Sequence, residues 1–227
     1  MANYFIVILL FIFGCRESPN TPQKEISPGP PILPSRGIIK IDFPINAPAE
    51  VDTIFSESIG DLNFVFILIE FAKDSTAKGQ YPDWTWRAKA SPYNMEIKAK
   101  ILAENVVQWQ IILDSDQVVE GPYPEDWLQS KGTITDNGKS GSFDMFEPFN
   151  ANLLAQSNWS NDNNTLIINT KKDQKNYEIT ANPNKSGKVV VTKQIVKIFE
   201  ASWDATGAGS WISYNPVTGQ QTGSGTW

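Results

Sequence analysis

Histidine is absent from all 227 residues, and cysteine occurs once, at Cys15. Without histidine the chain has no Ser-His-Asp or Cys-His machinery and no imidazole metal site. It also has no side chain that titrates unperturbed near neutrality. A single cysteine rules out an intrachain disulfide and a thiolate metal cluster. Basic clusters are missing as well: 19 Lys and Arg stand against 25 Asp and Glu, giving a net charge of −6 and a pI near 4.8. That balance argues against a nucleic-acid partner and against electrostatic attraction to anionic lipid. No apolar run reaches the roughly 20 residues that a membrane-spanning helix requires. The sequence therefore assigns no catalytic residue, no metal and no cofactor, and the expectation is a non-enzyme.

What the chain does contain starts at its beginning. Tyr4 to Phe13 is ten residues of nearly pure hydrocarbon side chain, about half a bilayer span and the length of an export-signal core. Gly14 offers a small residue for cleavage, and Cys15 a thiol for alkylation. The stretch Ile12-Phe13-Gly14-Cys15 resembles the lipobox of bacterial lipoprotein precursors. That resemblance implies recognition of Ile12, Phe13 and Gly14 by a signal peptidase, cleavage before Cys15, and diacylglycerol on the Cys15 sulfur. It also implies a lipid-anchored protein of the bacterial cell envelope, at the outer membrane. From Arg16 to Arg36, prolines at 19, 22, 28, 30, 31 and 34 make a semi-extended spacer. Residues 1–14 thus read as signal peptide and 15–37 as lipidated cysteine and tether.

The remaining residues are enough for one buried core. Met95, Ile97, Ala99 and Ile101 alternate with Glu96, Lys98 and Lys100, and Val107, Trp109, Ile111 and Leu113 repeat the alternation. Period two marks strands with one wet face. Further strands are expected near 128–135, 141–147, 152–159, 165–170, 176–181, 188–203, 209–214 and 220–227. Turn chemistry separates them at Glu104-Asn105, Asp136-Asn137-Gly138, Asn161 to Asn164, Asn182-Pro183-Asn184 and Asn215 to Gly219. Such short links favour an up-and-down meander.

Gly141 to Pro148 and Gly209 to Pro216 align at an offset of 68, which carries Trp159 onto Trp227. Further back, Trp109, Ile111 and Leu113 fall on Tyr177, Ile179 and Ala181. The expected layout is therefore a mainly β protein, a curved antiparallel meander of two repeats, 93–159 and 160–227. Residues 38–92 form a helix-containing N-terminal part. There, Val51, Ile54, Phe55, Ile59, Leu62, Phe66 and Ile69 follow helical spacing, predicting helix over 49–72 packed on one face of the sheet. The continuous apolar run Phe64 to Ile69 suits a buried strand equally well.

Several fragments imitate chemical motifs. Gly132 to Ser140 nearly spells a phosphate loop, but has five residues between its glycines where the motif needs four. Asp114-Ser115-Asp116 and Asn161-Asp162-Asn163 have the alternating oxygens of a calcium loop without its glycine or distant glutamate. Glu125, Asp126, Asp136 and Asp144 offer carboxylates, with nothing to bring any two face to face. Phe143 and Phe146, like Trp211 and Tyr214, stand three apart, so either both strand faces are covered or a bulge precedes Pro148 and Pro216.

Two readings of function follow. In one, the helix and sheet enclose a cavity lined by Phe55, Leu62, Phe66, Ile69 and Trp109 that binds or carries a lipid or another hydrophobic small molecule. That layout is similar to the half-barrel of periplasmic lipoprotein carriers at the level of fold alone. In the other, the protein is a non-catalytic surface module, and those of its eight tryptophans that are exposed stack on a glycan or dock a protein. Both keep the membrane as a partner through the lipid anchor.

Overall fold

The computed structural model describes residues 29–90, 93–115 and 126–227. The lipobox residues Ile12, Phe13, Gly14 and Cys15 lie outside them. Among the described residues there is one α-helix and one sheet. Helix α1 is Ala49–Lys73. The strands are β1 (Lys78–Gln80), β2 (Asp83–Ala90), β3 (Tyr93–Ala103), β4 (Val106–Ser115), β5 (Trp127–Thr135), β6 (Ser140–Phe146) and β7 (Leu153–Asp162). They continue as β8 (Thr165–Lys172), β9 (Lys175–Ala181), β10 (Gly187–Lys193), β11 (Val196–Trp203), β12 (Gly209–Tyr214) and β13 (Gln221–Thr226). All 13 pair in chain order, each antiparallel to the next, so the sheet is an up-and-down meander with free edges at β1 and β13.

The helix wins over the strand at 64–69 because its 25 residues keep one face apolar throughout. Val51, Phe55, Leu62, Val65, Phe66, Ile69 and Ala72 are all buried, and a strand would have turned alternate members outward. Glu50 and Asp52 sit in the first turn and Lys73 in the last, which suits the helix dipole. The helix is not long and apolar enough to cross a membrane. Exposed Gly60 leaves open space where a Cβ would stand. Gly60→Ala is therefore expected to raise stability by about 0.5–1 kcal/mol, measurable as a higher urea midpoint.

Helix α1 lies across the inward face. Near its start, Phe55 meets Trp203 edge-on (6.2 Å between centroids) and stacks on Phe43 (4.0 Å). In the middle, the Tyr177 hydroxyl donates to Glu57 (3.1 Å), and Lys172 pairs with Asp61 (3.0 Å). Burial, then the Glu57 charge, push the Tyr177 phenol above its ordinary range, so it remains a donor. Further on, Phe66 meets Trp159 edge-on at 5.3 Å. The last turn receives the incoming chain: Lys73 Nζ donates to the carbonyls of Leu33 (2.9 Å) and Pro34 (3.3 Å), and Arg36 pairs with Glu70 (3.1 Å).

Rows of inward side chains pack by alternating large with small. Trp109, Gly132, Phe143, Ser157, Thr170 and Tyr177 are successive cross-strand partners, and the Ser157 and Thr170 hydroxyls satisfy each other at 2.9 Å. A second row pairs Gly187 with Trp203, Trp203 with Gly209, and Gly209 with Trp227. The indoles lie over glycines because no Cβ there would fit beneath them.

Two features depart from the expectations. Residues 188–203 are two strands, β10 and β11, joined by Gln194-Ile195, with Gln194 in the left-handed region (φ 55°). Neither residue is a characteristic turn former, so the break leaves no compositional mark. Residues 78–90 add strands β1 and β2 before the meander. The offset of 68 preserves pairing in the final hairpins. Gly141 faces Trp159 as Gly209 faces Trp227, and both hairpins slip register after the same position, Met145 and Ser213. Upstream the pairing changes. β4 adjoins β5, whereas β9 is separated from β11 by β10.

Candidate functional site

Of the residues expected to line a cavity, Leu62, Phe66 and Ile69 are fully buried, and Trp109 and Phe55 are at most 6% exposed. They fill the seam between helix and sheet. The apolar opening lies beside them, at the end of the sheet where β3 and β5 begin and β4 and β6 end. It is a recess of about 440 Å³ lined by Phe64, Leu68, Met95, Leu113, Trp127 and Gln129, together with Met145, Phe146, Pro148 and Leu154. Its volume and lining fall in the range of small-molecule pockets.

Two β-bulges build it. Ile111 pairs with Ser130 but Ile112 pairs with Leu128, leaving Gln129 as the extra residue of β5. Met145 pairs with Ala155 but Phe146 pairs with Leu153, leaving Leu154 as the extra residue of β7. Both extra residues line the recess, because a bulge re-aims a side chain that regular alternation would send outward. The spacing of Phe143 and Phe146 before Pro148 carried the signal for the second bulge. Nothing in the sequence around Gln129 marks the first.

The recess has almost no polarity. The Trp127 indole N–H is used, donating to the Phe146 carbonyl at 3.2 Å. Gln129 is 1% exposed, and among the described residues its Oε1 has no hydrogen-bonding partner. An unpaired buried acceptor costs about 1–3 kcal/mol. Among the described residues no cationic side chain lines the recess.

Around the mouth the surface is apolar too. The outer face of α1 carries charges in its first half, but from Phe64 onward it presents Phe64, Ile67 and Phe71, each more than two-fifths exposed. Phe149 in the β6–β7 connection and Leu153 at the start of β7 are exposed as well. The opposite end of the sheet is polar. There Asn105, Asp136, Asn137, Asn163 and Asn164 occupy tight turns with left-handed backbone, and Asp136-Asn137-Gly138, all at positive φ, closes the β5–β6 hairpin. The resemblance to a phosphate loop ends there, since no α-helix follows. Among the described residues no group of three or more His, Cys, Asp or Glu is placed to hold a metal.

None of the eight tryptophans is exposed. Trp86, Trp109, Trp159 and Trp203 are buried, and Trp84, Trp127, Trp211 and Trp227 are partly buried. The rings therefore serve packing, and only Trp127 lines the recess. Neither a protein-family model nor a curated protein matches the chain.

Proposed function

We propose that the protein is a lipid-anchored lipoprotein of the bacterial cell envelope that binds a lipid or another hydrophobic small molecule and catalyses no reaction. The apolar recess between α1 and the bulged ends of β5 and β7 is the observation that carries this reading. The path of the chain supports it. Leu33 and Pro34 are held against the last turn of α1, on the same helix half as the exposed Phe64, Ile67 and Phe71. Cys15 precedes Gly29 by only 14 residues, a reach of no more than about 50 Å. An anchor at Cys15 thus keeps the apolar mouth within reach of the membrane from which a lipid would come.

Tryptophan fluorescence tests the recess directly, because Trp127 is in its wall. Titration with fatty acids, fatty alcohols and a short-chain phospholipid should give a saturable spectral change with at least one of them. Leu68→Asp places a charge in the lining of the recess and should weaken that ligand roughly ten-fold or more, with far-UV circular dichroism unchanged. Leu62→Asp is unsuitable, because Leu62 is fully buried in the seam and its loss would unfold the protein. A wild-type protein that responds to none of these ligands would overturn the reading.

A further inference from the structure

Among the described residues that line it, the recess has an apolar wall and one buried side-chain acceptor without a partner, Gln129 Oε1; the adjacent Ser130 hydroxyl is also unpaired but does not line the recess. Gln129 reaches the recess only because it is the extra residue of the β5 bulge. Its neighbour Ser130 keeps the regular inward position opposite Ile111. The bulge thus brings an amide into a wall whose other described members, Phe64, Leu68, Met95 and Leu113 among them, are apolar or aromatic. Its Oε1 is an acceptor without a donor. The other polar side chain in the wall among the described residues, Trp127, donates its indole N–H to the Phe146 carbonyl. A donor that enters the recess is the partner left for Gln129 Oε1.

We infer that the ligand of this recess is a neutral amphiphile, an apolar chain or ring bearing one hydroxyl or amide N–H that donates to Gln129 Oε1. Fatty alcohols, monoacylglycerols and acyl amides have this chemistry. An ionised fatty acid does not: it would bring acceptor oxygens and a negative charge to an acceptor, in a wall with no cation to pair it. An alkane or ether would fill the apolar volume and leave the amide oxygen unpaired. The inference rests on the proposed binding reading and adds the class of head group.

The test compares 1-decanol with its methyl ether, which keeps the oxygen and removes the donor, by tryptophan fluorescence of the full chain and of Gln129→Leu. Wild type is expected to bind the alcohol about ten-fold tighter than the ether, the effect of one buried hydrogen bond. Gln129→Leu should bind both with equal affinity, and its melting temperature should not fall, since an unpaired buried acceptor has been removed. Equal affinity of wild type for the two ligands would overturn the inference and leave the recess a non-selective apolar site. A preference that survives in Gln129→Leu would equally overturn it, by placing the acceptor elsewhere. If neither ligand alters the wild-type spectrum, the binding reading fails first and this inference with it. Should Gln129→Leu not fold, Gln129→Met keeps the length of the side chain, and the wild-type preference between alcohol and ether still decides the question.

Discussion

Cys15→Ser is expected to abolish lipid attachment and to move the protein from the membrane to the soluble fraction. The thiol is the only one in the chain, so no second cysteine can take its place. A serine hydroxyl is not alkylated in its stead, because a thiol ionises near pH 8.5 and a hydroxyl does not. Each buried methylene contributes about 0.8 kcal/mol to membrane retention. A diacylglycerol anchor therefore binds far more tightly than any exposed patch of three or four side chains, and its loss should be close to complete. Expression in a bacterial host with radiolabelled fatty acid, followed by fractionation, measures both effects. Wild type should carry label and sediment with membranes, and Cys15→Ser should do neither. Wild-type protein purified from membranes should also present no free thiol to Ellman's reagent. Label at equal levels in both, or in neither, would contradict lipidation. This experiment is independent of the recess, since the proposed anchor is at residues 12–15 and the proposed ligand site is in the folded domain.

The alternation of Met95 to Ile101 and Val107 to Leu113 was enough to read strands and their faces, because one wet face leaves a period of two in the sequence, and the short turn-forming links carried the up-and-down order. The helix was also legible, although the run Phe64 to Ile69 fitted a strand. Only the structure shows why that run is apolar all round: Val65, Phe66 and Ile69 face the sheet, Leu68 and the half-exposed Phe64 line the recess, and Ile67 faces outward. The placement of the recess was not legible. Periodicity identifies which residues are inward, and Phe55, Leu62, Phe66, Ile69 and Trp109 are indeed inward, but inward residues can meet and fill the space between them, as these do. The open volume arises where regular alternation fails, at Gln129 and Leu154, and a bulge is a mismatch between two strands that neither strand records alone. The Gln194-Ile195 turn escaped for a related reason. Its left-handed residue is a glutamine, chosen by the tight β10–β11 connection and not by turn propensity.

Gly141→Val is expected to be among the most destabilising single substitutions in the sheet. Gly141 faces Trp159 across the β6–β7 pair, and a Cβ at that position would collide with the indole ring and crowd the Thr133 carbonyl, 2.7 Å away. The ring cannot simply step aside. Trp159 is 2% exposed, its Nε1 donates to the Gly138 carbonyl at 3.0 Å, and its ring packs perpendicular to that of Phe66 from α1. Moving it would break a buried hydrogen bond and lift the helix from the middle of the sheet, whereas leaving it in place would force the strand backbones apart. Either response amounts to overpacking with loss of a buried contact, together about 3 kcal/mol or more. Trp159→Phe should cost less, because the smaller ring clears the glycine and keeps the contact with Phe66 while losing the hydrogen bond. In urea denaturation the midpoints should therefore fall in the order wild type, Trp159→Phe, Gly141→Val. The recess lies on the same helix and sheet, so Gly141→Val should also lose the fluorescence response to ligand, while Trp159→Phe should retain it. A Gly141→Val midpoint equal to wild type would mean that the indole is not seated on the glycine. The alternation of large and small side chains would then not be what holds α1 against the sheet.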